Sequence, residues 1–396
     1  MTLCESSSPR AEILKALQST LQSGIDAGVP GLSAAIKTSN GILWQSSAGL
    51  ANITTKDTIN SSNLFGIGSI TKVFIAVVIL QLLDEKLLTI SDVVGDYLDK
   101  EVLQGIENGE KATIESLLSH TSGVESWEDD PEWIVDGRGK NLDPERIWGE
   151  ADTLEYIRHP SSLSPGNFSY SNTNFTLLGL IIEKITHNSA PSEIRRRIID
   201  PLGLTETFLE GFEDAPQSTS EIMPHRYHYA TETFRKTAGL CPSFSQQEWQ
   251  GNSLIDVSLS NLSVEWVAGG MISTPRDLLK FAILLRDGKL LGSSSMYILQ
   301  AWQPVEKGRE VGHGLFRVES PLGYGSWVGH NGSVLGFTGA LWWREEADCA
   351  ICILANVGTM HSGHVPSSAP HIVMQSQFLE LATKLSQCAI DIVCTT

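Results

Sequence analysis

Apolar positions recur every three or four residues over 9–25, PRAEILKALQSTLQSGI. Ile13, Leu14, Leu17 and Leu21 share one stripe, which predicts an amphipathic helix opening at Pro9. The period then changes. GLSAAIKTSNGILWQSSAGLAN, 31–52, contains two β-like runs on either side of Asn40-Gly41, a dipeptide suited to a tight hairpin. From 70 to 87 the chain is apolar nearly all round, which predicts a buried helix. Residues 112–119 read as a shorter helix running into the turn HTSGV. Residues 125–165 are rich in Trp, Asp, Pro and Gly, with one helical piece around 151–158; long excursions of this kind often carry function. A second buried helix covers 170–186, and IIDPLGLTETF ends a helix at Pro201 and Gly203. Residues 210–264 are polar and irregular. The next helix has clear bounds: Thr274 as N-cap, Pro275 in the first turn and Gly288 just past its end. From about 310, three β-like runs follow (GSWVGHNG, GFTGALWWR and CAICILANV), and 370–392 is helical.

Strands at both ends and helices between them predict an α+β fold, read as a single domain over 1–396 with two lobes. Residues 1–68 and 265–396 form an α/β lobe, an antiparallel sheet flanked by terminal helices. Residues 69–264 form a mostly helical lobe with long loops. The junction of the lobes is the expected place for a site.

Composition narrows the setting. The chain has 396 residues, 41% hydrophobic and 19% charged, enough for a large core. Its net charge of −18 opposes binding to phosphate backbones and anionic lipid, so neither nucleic acid nor membrane is expected as a partner. The stretch MTLCESSSPRAEILKALQ has no apolar signal segment, Val73 to Leu80 is too short to span a bilayer, and Cys394 stands one position too late for a prenylation box. The expected location is cytoplasmic. Six cysteines, at 4, 241, 349, 352, 388 and 394, form no disulfide framework. Cys349 and Cys352 lie in a β-like run, where residues three apart point to opposite faces, so that C-x-x-C reads as buried strand. Sequons at Asn167 and Asn331 fall beside the candidate site below, where a glycan would block it.

The candidate chemistry begins at FGIGSITKVF, 65–74. Ser69 precedes the first buried helix and Lys72 follows by three residues. At helical spacing the two share a face, the helix N-terminus favours negative charge on the serine oxygen, and burial lowers a lysine pKa. A neutral lysine can then take the serine proton. The chain contains no G-x-S-x-G elbow. Tyr170 and Asn172, in SPGNFSYSN, form a second element: a tyrosine to share proton traffic and an asparagine to orient the lysine and a substrate carbonyl. His330, Gly332 and Ser333, in WVGHNGSV, form a third. Gly332 would let substrate approach the backbone, and the N–H groups of Ser69 and Ser333 would pair as an oxyanion hole. The pairs His225/His228 and His361/His364 lack a third ligand on a clear helix, and His120 reads as structural. Trp127, Trp133, Trp148, Tyr227 and Tyr229 fall in loops, either lining an acyl pocket or packing the lobe.

The order Ser-x-x-Lys, Tyr-x-Asn, then a basic residue-x-Gly on a late strand resembles the serine β-lactamase and penicillin-binding-protein superfamily. The nearest branch is similar to class C β-lactamases and their esterase and transesterase relatives. LLSHTSG, SPGNFSYSN, PLGLTETF and GGMISTPRDLLKF agree with it, and the likeness runs from about residue 10 to about 360. The resemblance implies an acyl-enzyme on Ser69, with Lys72 and Tyr170 moving the proton, and no metal or organic cofactor. It implies a small-molecule acyl substrate, free or carrier-bound. The family's antibiotic-acting members usually begin the late motif with lysine, and His330 stands there instead. A histidine is largely neutral at pH 7, which weakens recognition of a carboxylate. The expected activity is therefore hydrolysis or transfer of an ester, thioester or lactone acyl group, in secondary-metabolite biosynthesis. The alternatives are a β-lactamase or D-alanyl carboxypeptidase-like amidase, and a catalytically silent binding protein on the same scaffold. Oligomeric state stays open.

Overall fold

Both ends of the chain contribute to one eight-stranded antiparallel sheet. Its strands are β1 (Gly31–Thr38), β2 (Gly41–Gly49), β3 (Gln303–Glu306), β4 (Arg309–Val311), β5 (Phe316–Glu319), β6 (Ser326–Val334), β7 (Phe337–Arg344) and β8 (Ala350–Ala355). They lie side by side in the order β2-β1-β8-β7-β6-β5-β4-β3. The computed structural model describes residues 8–216, 222–241, 244–320, 323 and 325–394. The first seven residues and the side chain of Cys394, on which the readings of the termini partly rest, lie outside them. Among the described residues no helix is long and apolar enough to cross a membrane.

The Asn40-Gly41 hairpin forms as expected, with Thr38 opposite Gly41. Strands β3 to β5 were not legible: they are short, half-exposed and polar, so they show too little alternation to mark a strand. The same limit hid a small sheet in the middle of the chain. Tyr227–Tyr229, Gln247–Trp249 and Asn252–Asp256 pair there, joined in parallel by Val357–Gly358.

The framing helices are α1 (Pro9–Asp26), α2 (Thr71–Asp84), α3 (Asn172–Thr186), α4 (Pro275–Arg286), α5 (Ala369–Gln375) and α6 (Phe378–Cys394). Alternation along the central strands divides the core. Ile351 and Ile353 of β8 pack with Leu17, Leu21 and Phe378 of the terminal helices. Ala350, Cys352 and Leu354 face the opposite core with α2 and α4. Cys349 and Cys352 accordingly belong to opposite sides of the sheet. The α4 boundaries follow from Thr274, whose Oγ1 accepts the Asp277 N–H at 3.3 Å.

The apolar helix α2 is the hub of the second core, buried from Thr71 to Leu80. Phe74 stacks on Phe281 of α4 with centroids 3.9 Å apart and planes 12° from parallel. Truncating it empties a site walled on every side. Phe74→Ala is expected to lower unfolding free energy by about 3–5 kcal/mol, read from urea denaturation. A loss below about 1 kcal/mol would show that α2 collapses freely into the space.

Candidate active site

A three-stranded patch delivers Ser69. Phe65–Gly66 pairs antiparallel with Met271–Ser273, which pairs with Phe208–Leu209, and the Ile67 N–H donates to the Met271 carbonyl at 2.9 Å. The chain then turns at Gly68, φ 55°, into a short 3₁₀ turn, Gly68–Ile70, that leads into α2. This turn lies against β6 backbone to backbone. A Cβ on Gly68 would fall 2.6 Å from the Ser333 nitrogen, and one on Gly332 would fall 1.9 Å from the Ile67 carbonyl oxygen. The space at Gly332 is therefore taken by the turn that carries Ser69. This corrects the expectation that the glycine chiefly makes room for substrate, although Gly332 still borders the pocket.

Lys72 is fully buried on α2. Its Nζ donates to Ser69 Oγ at 3.1 Å, Asn172 Oδ1 at 2.6 Å and the Ala268 carbonyl at 2.6 Å. Burial pushes its pKa down to about 7, against the opposing pull of Glu128 and Glu265. Burial thus favours the free amine, and Nζ stands at the serine oxygen. The Tyr170 ring lies 5.1 Å from Nζ and stacks on buried His120 at 4.3 Å. Burial raises the Tyr170 phenol well above its ordinary range, only partly offset by Ser69, so it stays protonated. The lowered lysine and the raised phenol therefore differ in their readiness to hold a proton beside Ser69. His120 keeps the structural place expected of it. Its Nδ1 accepts the Ser171 N–H at 3.1 Å and holds the turn that presents Tyr170.

Asn172 opens α3 and orients Lys72 as expected, but it does not line the pocket. Its Nδ2 donates inward to Glu128 Oε2 at 2.6 Å. Behind it, Arg138 Nη2 donates to Glu128 Oε1 at 2.5 Å and to Glu265 Oε1 at 2.7 Å. All three charged side chains are buried. Sequence reasoning missed Glu128, Arg138 and Glu265. The one available signal was Glu265, a lone acid inside the apolar run SVEWVAGGMI.

Ser69, Tyr170, His330, Gly332 and Ser333 line a pocket of about 550 Å³. Its apolar wall comes from Phe316, Val318, Trp342, Met360, Pro370 and Met374. The aromatic residues singled out in the sequence lie elsewhere: Trp127, Trp133, Trp148, Tyr227 and Tyr229 are core packing. His330, on β6, is 4% exposed and packs against Phe316 at 5.2 Å. Burial, with Lys72 nearby, lowers its pKa to about 3, so it carries no charge at neutral pH. The cation bordering the pocket is Arg309 of β4. It lies over the Phe316 ring at 4.3 Å and pairs with Glu306 at 3.3 Å. Asn331 also borders the pocket and accepts from Trp342 Nε1 at 2.9 Å, whereas Asn167 is exposed and outside the lining. The histidine pairs have separate partners. His225 meets Asp256 at 2.8 Å, and His228 meets the Met360 carbonyl at 2.9 Å.

A family model described as Beta-lactamase matches residues 15–366. Among curated proteins, the putative penicillin-binding protein PbpX of Bacillus subtilis (strain 168) is 26% identical over 60% of this chain, and the match spans 50% of the relative's own length. Among solved structures, a D-stereospecific amidohydrolase from Streptomyces sp. superposes with TM-score 0.74 at 26% identity, covering 87% of this chain and 94% of that one. EstCE1, described as a hydrolase with promiscuous acyltransferase activity, superposes with TM-score 0.70 at 17% identity, over 95% of this chain and all (100%) of its own. At that identity the second likeness concerns the fold alone.

Proposed function

The chain belongs to the beta-lactamase family, and from that premise we propose that it is a serine hydrolase or acyltransferase forming an acyl-enzyme on Ser69. The substrate class is a small-molecule ester, thioester or lactone with an uncharged, apolar acyl group. The observation that carries this reading is the buried Lys72 amine 3.1 Å from Ser69 Oγ at the edge of the pocket.

In this mechanism neutral Lys72 takes the Ser69 proton as Oγ attacks the acyl carbonyl. The Ser69 and Ser333 N–H groups hold the developing oxyanion, and Tyr170 gives its proton to the leaving group and is reprotonated with the proton Lys72 took from Ser69. Water, or a second alcohol or amine, then releases the acyl group. Hydrolysis and acyl transfer differ only in which nucleophile reaches the acyl-enzyme. The apolar wall and uncharged His330 support a neutral acyl group.

The amidase reading has one observation in its favour beside the Streptomyces relative: Arg309 at the pocket could meet a carboxylate. That guanidinium is 40% exposed and already paired with Glu306, which weakens such a contact. A chromogenic cephalosporin is therefore expected to turn over with kcat/KM at least about 100-fold below that of the best p-nitrophenyl ester. Comparable or faster cephalosporin turnover would favour the amidase.

The direct test is intact-protein mass spectrometry after exposure to a fluorophosphonate and to p-nitrophenyl esters of increasing acyl length. An adduct mapped to Ser69 supports the reading, and the length preference sizes the pocket. No adduct with either reagent, in protein shown to be folded, would leave a silent binding scaffold as the better account.

A further inference from the structure

Three buried charged side chains near the lysine come from separate stretches of chain and meet, with Glu128 also reaching the lining of the pocket. Glu128 lies in the loop after the HTSG turn, Arg138 caps the short helix Pro131–Gly137, and Glu265 directly precedes the short helix Trp266–Gly269. Burying a salt bridge does not by itself stabilise a fold, because desolvation opposes the Coulomb gain. These three groups touch the reacting pair through two routes. Glu128 holds Asn172, which holds Lys72. Glu265 leads into the helix whose Ala268 carbonyl accepts a hydrogen bond from Lys72 Nζ.

We propose that Glu128, Arg138 and Glu265 form a buried positioning unit that fixes Lys72 and Asn172 and sets the pH range in which Lys72 takes the Ser69 proton. The inference rests on the serine-hydrolase reading above. None of the three lies in hydrogen-bond contact with Ser69, so they act through Lys72 and Asn172.

The charges explain how. With Lys72 protonated, the two cations and two carboxylates sum to zero. Releasing the Lys72 proton leaves one net negative charge in a largely buried site. The two carboxylates differ in their means to stay ionised. Glu128 accepts from both Arg138 and Asn172, whereas among the described residues Glu265 accepts only from Arg138. Hydrogen bonds to a carboxylate favour its charged form, so Glu265 is the more readily neutralised of the two. Its carboxyl is raised above the usual range, by burial first and by Glu128 as well. Both carboxylates, while charged, hold the proton on Lys72 against burial, Glu128 the more strongly.

Other titratable groups face the same centre. Tyr170 and His330 border it from the pocket side and His120 from the HTSG turn. Tyr170 remains a phenol and both histidines remain neutral near pH 7, since burial opposes charging each of them. Asp129 borders the pocket beside Glu128, and burial first, then Glu128, raises its pKa. His228 and His361 face Arg138, and burial holds both neutral, so the titration near neutrality is assigned to Lys72 under the charges of Glu128 and Glu265.

The sign of the test follows. A negative Glu265 stabilises protonated Lys72. Glu265→Gln keeps the shape and removes that charge, so Lys72 loses its proton at lower pH. The rate of Ser69 labelling by a fluorophosphonate, followed against pH, should move its acid limb down by about one pH unit. In protein carrying 13C-lysine, the Lys72 13Cε resonance, assigned by its loss in Lys72→Met, should titrate lower by the same amount. A purely structural unit would change stability and leave both midpoints in place. Midpoints in Glu265→Gln within about 0.2 pH units of wild type overturn the proposal. Should Glu265→Gln fail to fold, Glu128→Gln removes a charge of the same sign and must move the resonance the same way. Wild type unlabelled at any pH would overturn the hydrolase reading instead, and the resonance would still decide this inference.

Discussion

Ser69→Ala is expected to fold like wild type, form no fluorophosphonate adduct and lose ester turnover by at least about 10⁴-fold. The fold should survive because the serine hydroxyl is only one of three acceptors around Lys72. Asn172 and the Ala268 carbonyl remain, each 2.6 Å from Nζ. Stability should therefore change by no more than about 1 kcal/mol. Activity should not survive, because no other hydroxyl meets the Lys72 amine in the hydrogen bonds of the site. Any residual rate would come from the oxyanion donors and from holding the ester in the pocket. Turnover within about 10-fold of wild type, or a persistent adduct mapped to another residue, would remove Ser69 from the mechanism.

The second large effect concerns a residue with no side chain. Gly332→Ala is expected to lose about 3 kcal/mol of stability and at least about 100-fold in ester turnover. The new Cβ would lie 1.9 Å from the Ile67 oxygen, 2.9 Å from the Ile67 carbonyl carbon and 3.3 Å from the Gly68 Cα. All three are backbone atoms, so no flexible side chain can yield. Strand β6 and the nucleophile turn must move apart, which separates the Ser333 N–H from Ser69. Gly166→Ala is the control. Its φ of 92° strains an alanine, but nothing lies within 4 Å of the new methyl. It should cost only about 1 kcal/mol and leave turnover alone. Urea denaturation and kcat/KM on both variants check the pair. Wild-type behaviour of Gly332→Ala would mean that the two backbones tolerate separation.

Much of the site was legible because it is local. Ser69 and Lys72 share one helical turn, so their meeting follows from spacing once the helix forms. The apolar circumference of α2 foretold burial, and burial foretold a lysine of lowered pKa. Tyr170 and Asn172 sit where α3 begins, and His330, Gly332 and Ser333 share one strand. The aromatic residues were less readable. Trp127 and Trp133 stand in a Trp- and Asp-rich loop that suggests a cleft, yet the loop folds inward and buries both rings. The pocket wall instead uses Phe316 and Val318 from an edge region too short to show alternation, with Trp342 of β7 and Met374 of α5.

What the sequence determined by itself are features fixed within one or two turns of chain: the Asn40-Gly41 hairpin, the Thr274 cap, the Ser69–Lys72 pair and the opposite faces of Cys349 and Cys352. Hydrogen-bond geometry and the two side-chain periods act over those short distances, so residue order suffices. Tertiary structure alone decided that Gly332 yields its space to the Ile67 carbonyl, that His330 is held neutral, and that Glu128, Arg138 and Glu265 converge behind Lys72. Each of these depends on which distant segments exclude water from a group. Desolvation is a property of the packed surroundings, and no spacing along the chain encodes it.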